Sequence, residues 1–133
     1  INSNNGGILI IDYGYWDKNM KNTLKSIYNH KFNKVLNNFG NSDITYNLNF
    51  KLLEKILKKL NLKISGITNQ KSFLINLGIL KRAEIISKKL PFSKKADIYF
   101  RVKRLIDKNS MGELFKVILA TKKNVNFQAG FIN

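Results

Sequence analysis

The feature that most restricts this chain is the run Gly6-Gly7-Ile8-Leu9-Ile10-Ile11-Asp12-Tyr13-Gly14. A short, wholly apolar stretch rich in β-branched residues and bounded by glycines predicts a strand over residues 8–11, buried on both faces. Such a strand needs helices above and below it, which directs the chain to an α/β layer architecture. At the carboxyl end of a strand in an open α/β sheet, the backbone borders the ligand crevice. Asp12 and Tyr13 stand at that end and are the first candidate site residues. The same spacing also suits a plainer role, in which Asp12 caps the turn and Gly14 supplies a positive φ.

Residues 15–45 read mostly as loop, with one short helical stretch at 23–28 and a turn signal at Gly40-Asn41-Ser42-Asp43. A loop of that length in a compact domain is functional or mobile. His30 lies within it, where a lone histidine is more often solvated or structural than catalytic. Asp43 and Thr45 end the loop with short polar side chains that can accept from and donate to a ligand, or form an Asx turn at a helix entry.

Asn49 then caps a helix whose apolar positions are Phe50, Leu53, Ile56, Leu57 and Leu60. Lys51, Glu54, Lys55, Lys58 and Lys59 form its wet face. Residues 62–68 predict a short strand. A helix starts at Asn69-Gln70, runs through Phe73, Leu74 and Leu77, and stops at Gly78. Residues 79–90 continue as a helix with Leu80, Ala83, Ile86 and Leu90 in register, until Pro91 breaks it. A last helix spans 93–107 with Ile98, Val102, Leu105 and Ile106 inward. Residues 115–121 and 127–131 predict two strands joined by a short loop, as an antiparallel pair. No internal repeat is present.

Composition removes several functions. No cysteine is present, which excludes a disulfide scaffold, a thiolate metal site and cysteine catalysis, and a single histidine excludes a multi-histidine metal site from this chain alone. No apolar run approaches the roughly 18–20 residues of a membrane-spanning helix, so a soluble protein without a span is expected. The formal charge of +16 on 133 residues invites a nucleic-acid reading. All its cations except Arg82, Arg101 and Arg104 are lysines, spread along the chain among many asparagines and isoleucines. AT-rich coding supplies that mixture, whereas base and phosphate recognition favours the planar fork of arginine. Nucleic acid is therefore not the expected partner. The chain opens Ile1-Asn2-Ser3-Asn4-Asn5 without an initiator methionine or a signal segment, as a piece cut from something longer would.

Several segments in order carry a family likeness. They are Gly6-Gly7-Ile8-Leu9-Ile10-Ile11-Asp12-Tyr13-Gly14, Thr23-Leu24-Lys25 with His30-Lys31, Gly40, and Asp43-Ile44-Thr45. Asn49-Phe50, Gln70, Phe73-Leu74, Leu77-Gly78-Ile79 and Met111-Gly112-Glu113-Leu114-Phe115-Lys116-Val117 complete the series. Together they resemble the C-terminal portion of the MidA-type S-adenosylmethionine-dependent methyltransferases, a family that includes the mitochondrial complex I assembly methyltransferases. The family pattern has an acidic residue where this chain has Asn49, so no charged role is assigned there. Gln70 and Lys116 are expected to be ordinary structural polar residues.

The resemblance implies an α/β fold, the C-terminal part of a Rossmann-like class I methyltransferase with a mixed sheet and a terminal antiparallel strand pair. Residues 1–133 would be the C-terminal portion of a single methyltransferase domain. The N-terminal cofactor-binding half, with its glycine-rich loop and ribose-binding acid, would lie upstream of Gly6. S-adenosylmethionine would be bound mainly by that half, leaving the isolated chain inactive. The implied substrate is an arginine of a protein, a respiratory complex I subunit in particular. The implied setting is the bacterial cytoplasm or, alternatively, the mitochondrial matrix. On this reading Asp12 and Asp43 hold the guanidinium, with Tyr13, His30 and Thr45 as polar neighbours. Two alternatives stand beside it: a basic RNA- or protein-binding module without catalysis, and an assembly factor that docks without transferring a group.

Overall fold

The computed structural model describes residues 6–131. The polar opening stretch of residues 1–5 lies outside the described residues. The element order is β1 (Gly7–Tyr15), β2 (Lys25–Tyr28), β3 (Lys31–Asn33), β4 (Asp43–Thr45), β5 (Leu48–Asn49) and α1 (Phe50–Lys59). There follow β6 (Lys63–Asn69), α2 (Gln70–Asn76), α3 (Ile79–Ser87), α4 (Phe92–Ile106) and β7 (Phe115–Thr121). A four-stranded mixed sheet has the order β5-β1-β7-β6, and a separate three-stranded sheet has the order β3-β2-β4.

In the larger sheet β7 runs antiparallel to both neighbours, pairing Ile118 with Ile10 on one side and with Ile67 on the other. It is β7, not β1, that is covered on both faces: all of Val117–Thr121 is buried. In β1, Ile8, Leu9, Ile11 and Tyr13 are exposed, which corrects the expected two-sided burial. The reason is position, since among the described residues only the two-residue β5 stands beyond β1. The strand also extends to Tyr15, so Asp12 and Tyr13 lie within it and not past its end.

One face of the sheet is closed by α1, where Phe50, Leu57 and Leu62 pack with Ile118, Ala120, Ile10, Leu53 and Ile64. Asn49 caps that helix as expected, its Oδ1 accepting from the N–H groups of Lys51 at 3.0 Å and Leu52 at 3.1 Å. Gly14 is needed under α1, because a Cβ there would collide with the Leu48 carbonyl and the Phe50 ring. On the opposite face Phe131 lies directly on Gly66, and its ring meets Phe73 of α2 at 5.2 Å.

Residues 127–131 therefore form no strand. Both edges of β7 are already taken by β1 and β6, so the terminal antiparallel pairing is made with them and not with a closing hairpin. Asn69 caps α2 through a 2.8 Å bond from Ser72 N–H, and Pro91 separates α3 from α4. α3 ends at Ser87, short of residue 90, and Leu80 and Ile86 are exposed. Ile98, Val102, Leu105 and Ile106 of α4 are half-buried. No helix among the described residues is long and apolar enough to cross a membrane.

Candidate functional site

The segment expected to be a loop with a helical stretch at 23–28 is instead a small antiparallel sheet. Lys25–Tyr28 is its central strand, paired with β3 and β4. Opposite residues of an antiparallel pair share a face. The register pairs Lys25 with Thr45, and Ile27 with both Phe32 and Asp43. Lys25, Ile27, Phe32, Asp43 and Thr45 thus form one face, and Ser26, Tyr28, Lys31, Asn33 and Ile44 the other.

Two of the expected site residues are brought together here, Asp43 and Thr45, both exposed. The Asp43 carboxylate takes part in no hydrogen bond or ion pair among the described residues. Phe32, on the far side of Ile27 from Asp43, is 78% exposed, and Lys25 Nζ lies 5.6 Å from the centre of its ring. The Phe32 ring thus already carries a cation of this chain, the Lys25 ammonium, on the same face of the sheet as Asp43.

His30 has a different place. It occupies the tight turn between the paired residues Tyr28 and Lys31, and both Asn29 (φ 47°) and His30 (φ 60°) are left-handed, as a type I′ hairpin turn requires. It is exposed, and its position follows from turn chemistry.

Asp12 and Tyr13 lie on the other sheet. Asp12 Oδ1 accepts the N–H of Tyr13 at 2.7 Å. The Tyr13 ring stacks at 4.0 Å on Phe115, its partner in the β1–β7 register. No hydrogen bond or ion pair joins these residues to His30, Asp43 or Thr45 among the described residues. The two sheets are linked instead by Thr23, whose Oγ1 accepts the Asn47 N–H at 2.9 Å, and by Asn49 Nδ2, which donates to Asn19 O at 3.4 Å. Thr23 belongs to a family-like segment, and its hydroxyl was the signal for this latch. Gln70 is structural as expected: it is buried, and its Nε2 donates to Leu105 O at 2.9 Å, tying α2 to α4.

A groove of about 780 Å³ runs along α1 between Lys18, Met20, Leu52, Lys55 and Lys59. Its one carboxylate, Glu54, is held by Lys58 at 2.6 Å and Lys51 at 3.0 Å, and these bonds keep its carboxyl below the usual glutamate range. A groove walled by ammonium groups suits an anion and repels a guanidinium.

The sequence pattern of the family described as "Putative S-adenosyl-L-methionine-dependent methyltransferase" matches residues 2–68. The chain belongs to this family. Among methyltransferase relatives, the protein arginine methyltransferase NDUFAF7, mitochondrial, of Danio rerio is 32% identical over 111 residues, 84% of this chain. The Mus musculus protein of the same name is 31% identical over 86% of the chain. The chain spans only 26% of the length of each. A solved COG1565 superfamily protein from Burkholderia thailandensis superposes with a TM-score of 0.81 at 27% identity, over 97% of this chain and 36% of its own. A second member from that organism, bound to S-adenosyl-homocysteine, gives 0.75 at 25% identity over 96% of this chain and 33% of its own. The architecture is accordingly a portion of the Rossmann-like methyltransferase fold.

The residues present do not by themselves fit the family's cofactor. A nucleoside cofactor is usually cradled by a glycine-rich turn from a strand into a helix. The strand-to-helix junctions among the described residues are Asn49-Phe50 and Asn69-Gln70, and in each the asparagine side chain already occupies the helix N-terminus. No three His, Cys, Asp or Glu side chains gather as a metal site would need among the described residues.

Proposed function

We propose that this chain is the substrate-side, C-terminal portion of an S-adenosylmethionine-dependent protein arginine methyltransferase. The cofactor is bound mainly by the remainder of the enzyme. The observation that carries the reading is the exposed Asp43 carboxylate, without a hydrogen-bond or ion-pair partner among the described residues, within a chain that matches arginine methyltransferases along 84% of its length. In this role Asp43 accepts two N–H groups of the substrate guanidinium, and Thr45, on the same face of β4, accepts or donates at the rim. Asp12, already bonded to Tyr13 N–H, contributes backbone order and not substrate charge. Tyr13 holds its place on Phe115, and His30 shapes the hairpin that presents Phe32. The names of the relatives support a protein substrate, and a respiratory complex I subunit in the mitochondrial matrix is the specific case we propose.

The test is methyl transfer to an arginine-containing protein substrate by the complete enzyme. A hydrogen bond to a charged group contributes about 1.5–3 kcal/mol, so Asp43→Ala should lower kcat/KM roughly 10- to 150-fold. Asp12→Asn, which keeps the acceptor oxygen, should leave turnover nearly intact. Undiminished turnover in Asp43→Ala removes that residue from the site.

A further inference from the structure

In the small sheet, β4 is an outer strand, and the hairpin beside it fixes which way its backbone groups point. Tyr28 and Lys31 are paired across the two-residue turn Asn29-His30. The Lys31 N–H therefore donates to the Tyr28 carbonyl, and Tyr28 turns its polar backbone groups toward β3. Alternation along β2 then aims Ser26 at β3, and Lys25 and Ile27 at β4. Thr45 and Asp43, opposite Lys25 and Ile27, bond inward to β2. Ile44 between them turns its N–H and C=O outward, where nothing among the described residues pairs them. All three residues of β4 are exposed. An uncovered sheet edge is a template for an extended segment.

We propose that an extended segment of the substrate protein pairs antiparallel with the outer edge of β4, its arginine opposite Asp43 and an apolar residue, immediately before the arginine, opposite Ile44. The inference deepens the arginine function proposed above and rests on it. Both pairings within this sheet are antiparallel, and an antiparallel guest exchanges two backbone bonds with Ile44. The guest residue opposite Asp43 then forms a non-hydrogen-bonded pair, the arrangement that brings facing side chains closest. A guanidinium there meets an exposed carboxylate that has no ion-pair partner among the described residues. The preceding guest residue falls on the opposite face, beside the Ile44 side chain, which is 57% exposed. Charge selects this edge over the other outer strand. On β3 the backbone of Phe32 also turns outward, but Lys31 adjoins it and the Lys25 ammonium lies over the Phe32 ring. The β3 edge repels a cationic segment, whereas the β4 edge carries a carboxylate that attracts one.

Backbone-methylated peptides test the pairing on the complete enzyme, by fluorescence titration without a methyl donor. The parent is a synthetic peptide with isoleucine-arginine at its centre. N-methylation of the isoleucine removes the N–H that donates to the Ile44 carbonyl, and binding should weaken about 2- to 12-fold or more. N-methylation of the arginine, whose amide points away from β4, should leave the affinity at the parent value. A parent that does not bind, equal affinity of all three peptides, or equal weakening by both methylations overturns the strand pairing, and methyl transfer to arginine would survive each of these results. The arginine function fails on a separate readout: no methyl group on the arginine of the parent after incubation with S-adenosylmethionine would overturn that function, and this inference with it.

Discussion

Asp12 turns its carboxylate onto the N–H of Tyr13, its neighbour in β1, at 2.7 Å. Asp43, the other carboxylate of the family-like segments considered for the site, has no such partner among the described residues. In sequence the two aspartates both stand in family-like segments. Their environments separate them. One satisfies a backbone donor in β1, and the other is exposed on the small sheet with no partner among the described residues.

The entry to α1 should be sensitive to its cap. Asn49 Oδ1 accepts two backbone N–H groups, while its Nδ2 holds Asn19 O. Asn49→Ala should destabilise the protein by about 1 kcal/mol, within a typical range of about 0.5–2. Asn49→Asp keeps the acceptor and suits the positive end of the helix, so it should retain most of that stability. Denaturant unfolding of the two variants gives the comparison, and equal losses would remove the capping role.

Glu54 makes a prediction about pH. Its bonds to Lys58 and Lys51 hold the folded carboxyl below its ordinary value of 4.5. A group whose pKa is depressed on folding stabilises the protein above its unfolded pKa. That contribution is lost as pH falls through the folded value. Wild type should therefore exceed Glu54→Gln in stability by a constant margin near neutrality, and the margin should shrink on acidification below the ordinary glutamate range. Both lysines are substantially exposed, at 43% and 60%, so the margin should be no more than about 1 kcal/mol. Unfolding curves across that acid range decide the matter.

Gly66 and Phe131 should be energetically coupled. A Cβ at Gly66 would run into the Phe131 ring, so Gly66→Ala should cost about 1–3 kcal/mol through overpacking. Placed in a Phe131→Ala background the same change should cost little, giving a coupling of at least about 0.5 kcal/mol in a double-mutant cycle. Additive effects would mean that residues 128–131 do not rest on the sheet.

Much of this fold is legible in the sequence because its causes are local. Asn49 and Asn69 announce α1 and α2 by capping, Pro91 divides α3 from α4, and the apolar run at 115–121 is β7. The rest depends on partners distant in sequence. Residues 25–28 have side-chain spacing that a helix could use, and they become a strand only because β3 and β4 pair with them. Residues 127–131 look like a strand, but β7 has no free edge to offer, and Phe131 packs on Gly66 instead. The run at 8–11 has the composition of a two-sided buried strand, while within this chain β7 takes the central position. In the candidate site, Asp43 and Thr45 were visible as polar residues ending a loop. Phe32 was not, since only pairing with β2 puts it on the same face of the small sheet as Asp43.

On the function proposed above, these residues present a protein arginine to a methyl donor. The most direct measurement is mass spectrometry of an arginine- and lysine-containing protein substrate, incubated with the complete enzyme and S-adenosylmethionine. A methyl group on an arginine side-chain nitrogen, lost with Asp43→Ala, is the predicted result; methylation confined to lysine, or no transfer to the protein, would contradict it.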